Sequence, residues 1–363
     1  MPKGTQTMAD EHLGDMAITN REANHEKLIG MDLLRCCEAA SLNAFRWIGK
    51  GDKIAADSAA TDAIRGMLNL MDMCGVCAIG EGIKDEAPGI FVGEKLGTWR
   101  EGSPAVSIAV DPIDGTTLTS KGLPGAISVI AAATGDSPEN PSLKAIPSYY
   151  CDKIAVGPRV KESAGNVRLD ASVEQNLEIV ALALGKRVRD LVVCLLDRPR
   201  HEKLITEVRQ TGAAIRLIGD GDVAGAIAPS MPESNVDVYL GIGGSPEAVL
   251  AAAAIRCLGG ELLAKVWPRD EEEKASLEAD GHGDLFGRVF CSKDMASGED
   301  VVFAATGITD SALLRGVTIN EQIATTYSVV MRARSRTARY VKAYHDLTRK
   351  TIRLASAAHH TTL

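Results

Sequence analysis

Aromatic residues make up only 4% of the 363-residue chain, too few for an extended base-stacking surface. Basic runs are missing as well. The formal net charge is -8, which leaves no cationic footprint for non-specific nucleic-acid binding. No apolar run reaches about 18 residues, so no membrane span is expected. Residues 1–27 contain no apolar stretch, which argues against a secretory signal and reads as a flexible N-terminal extension. No Ser, Cys or His nucleophile motif stands out, and Gly243-Gly244-Ser245 is not a G-x-S-x-G elbow. Gly241-Ile242-Gly243-Gly244 fails as a dinucleotide fingerprint, because Pro246 occupies the place of the third glycine. The eight cysteines (Cys36, Cys37, Cys74, Cys77, Cys151, Cys194, Cys257, Cys291) lie mostly in apolar stretches. Free thiols buried in a cytoplasmic protein are the plain reading. Cys74 and Cys77 have redox or zinc spacing, but no second pair follows them.

What is present is ordinary globular composition, 45% hydrophobic and 24% charged. At roughly 150 residues per domain the length suggests two domains. Helical periodicity predicts helices over 28–48 and 57–73, with Asp57 as a candidate N-cap. Residues 76–79, 105–110 and 127–133 read as buried strands. From 191 the rhythm becomes strand, helix, strand, helix, strand, helix, which predicts a parallel sheet with helices on its faces. The charged stretch 268–284 reads as an exposed excursion, 301–305 as a returning strand, and 332–350 as a basic helix. The expected division is an extension over 1–27, an α+β domain over 28–188 and a parallel α/β domain over 189–310. A C-terminal segment and helix over 311–350 would pack back on the first domain, and 351–363 would be a frayed tail.

Ligands of open α/β sheets bind beyond the carboxyl ends of strands. Three predicted strand-to-helix turns fall there: Asp197 to His201, Gly219 to Asp222, and Gly243 to Glu247. The first offers Arg198 and Arg200, which suit bidentate phosphate binding. The others offer backbone N–H groups and carboxylates, although Ser245 as N-cap, Pro246 and Glu247 are also ordinary helix-start residues. The first half adds Asp111-Pro112-Ile113-Asp114-Gly115-Thr116, where a buried strand should end at Asp111 and place Asp114 in a turn. Two such carboxylates suit a hard cation such as Mg²⁺ or Mn²⁺. Glu81, between Gly80 and Gly82, again follows a strand. Two metal ions held by such groups could activate water and neutralise charge in an in-line displacement at phosphorus.

These motifs together resemble class II fructose-1,6-bisphosphatase, the bacterial type shared with the cyanobacterial fructose/sedoheptulose bisphosphatases. The likeness runs from about Met31 to Arg339. It includes Gly49 to Lys53 with Ala56-Asp57, Ile79 to Gly82 followed by Asp85 to Pro88, Val110 to Thr116, and Arg198 to His201. Asp220 to Asp222, Gly241 to Glu247, Ala305 to Thr309 and Ser335 to Thr337 complete it.

The resemblance implies an α/β fold, the layered α-β-α-β-α sandwich of the inositol monophosphatase-like sugar phosphatases. It implies hydrolysis of the 1-phosphate of fructose 1,6-bisphosphate, in gluconeogenesis or the Calvin cycle. The alternatives are sedoheptulose 1,7-bisphosphate as substrate, or a non-catalytic sugar-phosphate sensor. Metal ligands carry over onto Asp57, Glu81, Asp111, Asp114 and Glu247, for two or more Mn²⁺ or Mg²⁺ ions. Asp111, Asp114, Thr116 and Glu81 become the catalytic set. Substrate contacts carry over onto Asp114, Gly115, Thr116, Tyr150, Arg198, Pro199, Arg200, Asp220, Gly221, Asp222 and Gly244, with Lys53 and His201 nearby. The implied state is a cytoplasmic homo-oligomer, dimer or tetramer, with no nucleic-acid or membrane partner. Asp114 stands where many relatives have Glu, and Arg198 where the family has Lys.

Overall fold

A computed structural model describes residues 22–80, 89–134, 141–163, 165–356 and 361–362, with side chains described from Ile29 to Ser356 within those ranges. Most of the expected N-terminal extension, Glu81 and the motif residues 82–88 lie outside the described residues.

Two sheets carry the fold. The chain enters the first through β1 (Cys74–Ile79), β2 (Lys95–Leu96), β3 (Ala105–Asp114) and β4 (Ile127–Thr134). It then builds the second from β5 (Tyr150–Val156), β6 (Val192–Leu196), β7 (Ala214–Ile218), β8 (Val238–Gly244), β9 (Glu261–Val266) and β10 (Val289–Cys291). It returns to the first sheet as β11 (Val301–Gly307), β12 (Thr318–Asn320), β13 (Ile323–Arg332) and β14 (Thr337–Asp346). The first sheet has the order β12-β13-β11-β4-β3-β1-β2, with β14 on the other side of β13; the second has the order β10-β9-β5-β8-β6-β7.

Strand alternation assigns neighbouring residues to different cores. The helices α1 (Glu22–Phe45) and α2 (Lys53–Leu68) cover one face of the first sheet, where Leu33, Ile64 and Leu68 meet Ile108, Val110 and Ile130. The opposite face, with Ala109, Val129 and Ala131, packs on a helix that also meets Cys151, Ala155 and Tyr239 of the second sheet. That helix spans Ser245–Leu258. Its run Ala251 to Ala254 is buried on all sides, as expected of a helix held between two sheets. Beyond the second sheet, Ile154, Val193 and Leu195 meet Leu177 and Val180 of the helix Val173–Leu184 and Ile205 and Val208 of the helix Glu202–Gln210. The order of layers is therefore helix, sheet, helix, sheet, helix.

Several expectations are corrected. The basic helix at 332–350 is instead a ten-residue strand, β14, paired with β13 from Ile323↔Asp346 to Arg332↔Thr337. Its Thr337, Tyr340, Val341 and Tyr344 favour a strand, and an edge position exposes its charges without needing a helical face. The second sheet is mixed: β6 pairs β7 and β8 in parallel, whereas β5 runs antiparallel to β8 and β9. By sheet membership β5 belongs with the second unit and β11 with the first, across the 188/189 and 310/311 boundaries.

The segment after 350 is ordered at its start. Thr351 and Ile352 pair with Thr362 and Thr361, and Ile352 is buried. The backbone N–H groups of Ala355 and Ser356 donate to Asp62 of α2. Asp57 is not a cap: Asp52 caps α2 by accepting from the Ala55 N–H at 2.9 Å. Gly244, not Ser245, occupies the N-cap of its helix, and the Ser245 hydroxyl donates instead to the Ser148 carbonyl.

Candidate active site

The Asp111 to Thr116 segment is shaped by an irregular strand end. β3 does not stop at Asp111 but continues to Asp114, and its pairing with β4 shifts from Asp111↔Val129 to Asp114↔Ile127. Three steps on one strand thus face two on the other, a β-bulge. In a regular strand, residues three apart point to opposite faces. The extra residue lets Asp111 and Asp114 address the same cleft. Pro112, which cannot donate to a ladder, is tolerated at such an irregularity. Gly115 then takes φ +101° and starts the short helix Thr116–Lys121, a turn that suits a residue without Cβ.

All three strand-to-helix turns of the second sheet face this segment. A cleft of about 200 Å³ is lined by Asp111, Asp114, Gly115 and Thr116 on one side. Tyr150, Arg198, Arg200, Asp220, Gly221, Asp222, Gly244 and Glu247 line the rest, with Ile113 and Leu196. Pro199 is absent from the lining; it begins the 3-10 turn Pro199–His201 that aims the two arginines. Asp57 is also absent from the lining, and Glu81 lies outside the described residues. A larger cavity of about 490 Å³ backs onto the Gly219 to Gly221 loop, but its lining is dominated by apolar groups such as Leu118, Leu123 and Leu217. The smaller cleft is the one that gathers acids and guanidiniums.

Cations and acids meet across it. Arg198 donates to the Gly219 carbonyl and, at 2.6 Å, to Asp220 Oδ1. The other Asp220 oxygen accepts from the Thr117 N–H at 3.1 Å, joining the two lobes of the site. Arg200 donates to the Ile242 carbonyl at 2.9 Å and lies 4.8 Å over the Tyr150 ring. Tyr150 in turn meets Trp267 edge-on at 6.3 Å. Lys53 reaches Thr117 Oγ1 at 2.8 Å, close to the Asp114 turn.

His201, implied by the resemblance to lie nearby, directly follows Arg200 of the cleft lining. It is buried, its Nδ1 donates to the Leu196 carbonyl, and its Nε2 accepts from the Ile242 N–H, each at 2.7 Å. β6 and β8 pair only at Val193↔Val238 and Cys194↔Tyr239. The imidazole bridges the strands where they part. Burial lowers its pKa, which keeps the ring neutral as both bonds require.

The floor of the cleft is crowded with negative charge. Burial raises the Asp114 pKa well above the usual carboxylate range, and Asp222, Glu247 and Asp220 push it further. The Val223 N–H, 3.2 Å from Asp114 Oδ2, works in the opposite sense. Glu247 is raised by burial and by Asp222, with Lys153 opposing; Asp57 is raised by burial. Two buried oxygens, Asp57 Oδ1 and Glu247 Oε2, have no hydrogen-bond partner. Oxygen-only donors with orphaned buried atoms fit a hard divalent cation. Among the described residues, no three Asp, Glu, His or Cys side chains close around one point. Lys153 and Tyr239, which meet Asp222 beneath the floor, were not singled out from sequence; nothing local marks an isolated Lys in a strand.

Acids that favour a hard cation, set opposite two guanidiniums in a narrow cleft, are the equipment of an enzyme that hydrolyses phosphate esters. Comparison with known proteins narrows this class. The family described as "Bacterial fructose-1,6-bisphosphatase, glpX-encoded" matches residues 27–345. The class 2 fructose-1,6-bisphosphatase of Haemophilus influenzae is 42% identical over 332 residues, covering 88% of this chain and 97% of the relative. Fructose-1,6-bisphosphatase 1 class 2 of Escherichia coli K12 is 41% identical over 333 residues, covering 89% and 96%. The chain belongs to the bacterial class 2 fructose-1,6-bisphosphatase family. Membership makes it a hydrolase of carbohydrate metabolism acting on fructose 1,6-bisphosphate. Among the described residues, no helix is long and apolar enough to cross a membrane.

Proposed function

We propose that this cleft removes the 1-phosphate of fructose 1,6-bisphosphate, releasing fructose 6-phosphate and phosphate. The observation that carries the site assignment is the convergence of Asp111, Asp114 and Glu247 with Arg198 and Arg200 on one cleft. Asp57, Glu81, Asp111, Asp114 and Glu247 would hold two or more divalent ions, Mn²⁺ or Mg²⁺. When bound, such ions neutralise charge on the transferring phosphoryl group and lower the pKa of water. The chain's own groups do the positioning. Thr116, just past the tight Gly115 turn, orients the reacting phosphate. Arg198 and Arg200 hold the distal phosphate, and their separate anchoring at Asp220 and Ile242 keeps both guanidiniums at the rim. Asp220, Asp222 and the backbone at Gly221 and Gly244 contact the sugar.

The succession of layers supports placing the fold with the inositol monophosphatase-like sandwiches, and the family likeness supports a cytoplasmic homo-oligomer, dimer or tetramer. The deciding experiment is phosphate release from fructose 1,6-bisphosphate with Mn²⁺, Mg²⁺ or EDTA, in the wild type and Asp111→Asn. We expect divalent-ion dependence and at least a hundredfold loss in the variant. Undiminished hydrolysis by Asp111→Asn would sink the assignment.

A further inference from the structure

Among the described residues, Lys153 is the most deeply buried cation of the site. It lies on β5, three residues after Tyr150, with its side chain fully shielded from solvent. Its ammonium donates to Asp222 Oδ2 at 2.7 Å. The Tyr239 hydroxyl donates to the same oxygen, also at 2.7 Å. Tyr239 is fully buried, and burial together with Asp222 keeps its hydroxyl protonated and able to donate. The backbone closes over the pair: a Cβ at Gly243 would stand 1.9 Å from Asp222 Oδ2 and 2.9 Å from Lys153 Nζ.

A buried ion pair of this kind is poor value as a source of stability, since desolvation consumes the Coulomb gain. What it does provide is direction. Asp222 precedes the helix Val223–Ile227 but makes no side-chain cap bond to it. Both fixed donors take Oδ2, which leaves Oδ1 for the cleft that Asp222 lines. We infer that Lys153, with Tyr239, is a positioning residue that fixes Asp222 for its contact with the sugar. This rests on the proposed reading of the cleft, in which Asp222 touches substrate.

The test is a double-mutant cycle on the full chain with fructose 1,6-bisphosphate at saturating Mn²⁺. The variants are Lys153→Met, Asp222→Asn, their combination, and Tyr239→Phe. Removing a contact made equally in ground and transition states raises KM and spares kcat. Lys153→Met should raise KM about tenfold or more with kcat within threefold, and Tyr239→Phe should raise KM about threefold. The double variant should match Asp222→Asn alone rather than multiply the two losses. Lys153→Met strands a buried carboxylate and Asp222→Asn a buried ammonium, so either single variant can fail to fold; Tyr239→Phe leaves the ion pair intact and then carries the decision. A wild-type KM in Tyr239→Phe, or in a folded Lys153→Met, would overturn the inference, as would multiplicative losses in the double variant. Absence of wild-type phosphate release would overturn the proposed reaction and this inference with it, whereas an active wild type with insensitive variants overturns the inference alone.

Discussion

Gly221 presses its backbone against Asp114: a Cβ built on it would stand 3.0 Å from the Asp114 carboxyl carbon and Oδ1. Two residues on, the Val223 N–H donates to Asp114 Oδ2, so the second sheet's loop both crowds and holds the first sheet's acid. Gly221 also has φ +63°, a left-handed conformation that costs an L-residue about 1 kcal/mol. Gly221→Ala should therefore lower kcat/KM at least tenfold while lowering stability by only about 1–2 kcal/mol. Steady-state kinetics and urea unfolding on the same preparation check this. Wild-type kcat/KM would show that the contact is dispensable.

Much of this geometry was legible because it is local. Gly, Pro and Asp punctuate the turns at 197–201, 219–222 and 243–247, and the strands before them are short apolar runs between breakers. The sharing of one rim followed from strand direction alone. The bulge at Asp111 to Asp114 was not legible, since it is defined only by which β4 residues lie opposite. Lys153, Tyr239 and Asp222 are brought together by tertiary packing across three elements. The misreading of 332–350 has a different source. Arg and Lys at close spacing suggested an exposed helical face, but ten rungs of pairing with β13 outweigh local propensity. Asp57 looked like a cap because an acid before an apolar run is a good capping signal, yet Asp52 has the earlier claim.

The Arg198 fork spans the Gly219 carbonyl and Asp220. A lysine offers a point charge and cannot hold both directions at once. Arg198→Ala should raise KM for fructose 1,6-bisphosphate more than tenfold with kcat within about threefold, the pattern of lost uniform binding. Arg198→Lys should fall between, at about threefold in KM. If Arg198→Ala changes kcat and leaves KM alone, the guanidinium does not hold the distal phosphate.

A buried polar relay in the first lobe sets an acid limit on stability. The Thr326 hydroxyl donates to Glu38 Oε1 at 3.1 Å and lies 2.8 Å from His345 Nε2. Burial, reinforced by Lys350, lowers the His345 pKa to about 4. The folded protein thus keeps this ring neutral, while the unfolded chain takes up a proton below the ordinary value of 6.5. The stability it contributes is complete above 6.5 and is lost as pH falls from there to about 4, by at most about 3 kcal/mol. Burial raises Glu38, so its contribution has the opposite sign and fades as pH rises above 4.5. His345→Gln should flatten the fall in Tm between pH 6.5 and 4.5 measured by circular dichroism. Parallel wild-type and variant curves would rule out His345 as the source.

Residues 351–356 brace the helix that carries Asp57. Ile352 is buried in the core of the first lobe. Ala355 donates its N–H to the Asp62 carbonyl, and Ser356 donates its N–H to the Asp62 carboxylate at 2.7 Å. Gly66, one turn further along α2, admits the strap: a Cβ there would lie 2.1 Å from the Arg353 carbonyl oxygen. Burying one isoleucine is worth about 1.5–3 kcal/mol, so removing residues 351–363 should lower Tm by on the order of 5 °C. Gly66→Ala should reproduce part of that loss in the full-length chain by lifting the strap off the helix. Because Asp57 lies little more than one turn before Asp62, both changes should also raise the Mn²⁺ concentration for half-maximal activity severalfold, leaving KM for the sugar bisphosphate within about twofold. A truncated protein that melts within 1 °C of wild type, on the scale of about 2–4 °C per kcal/mol, would mean that α2 holds Asp57 without the strap.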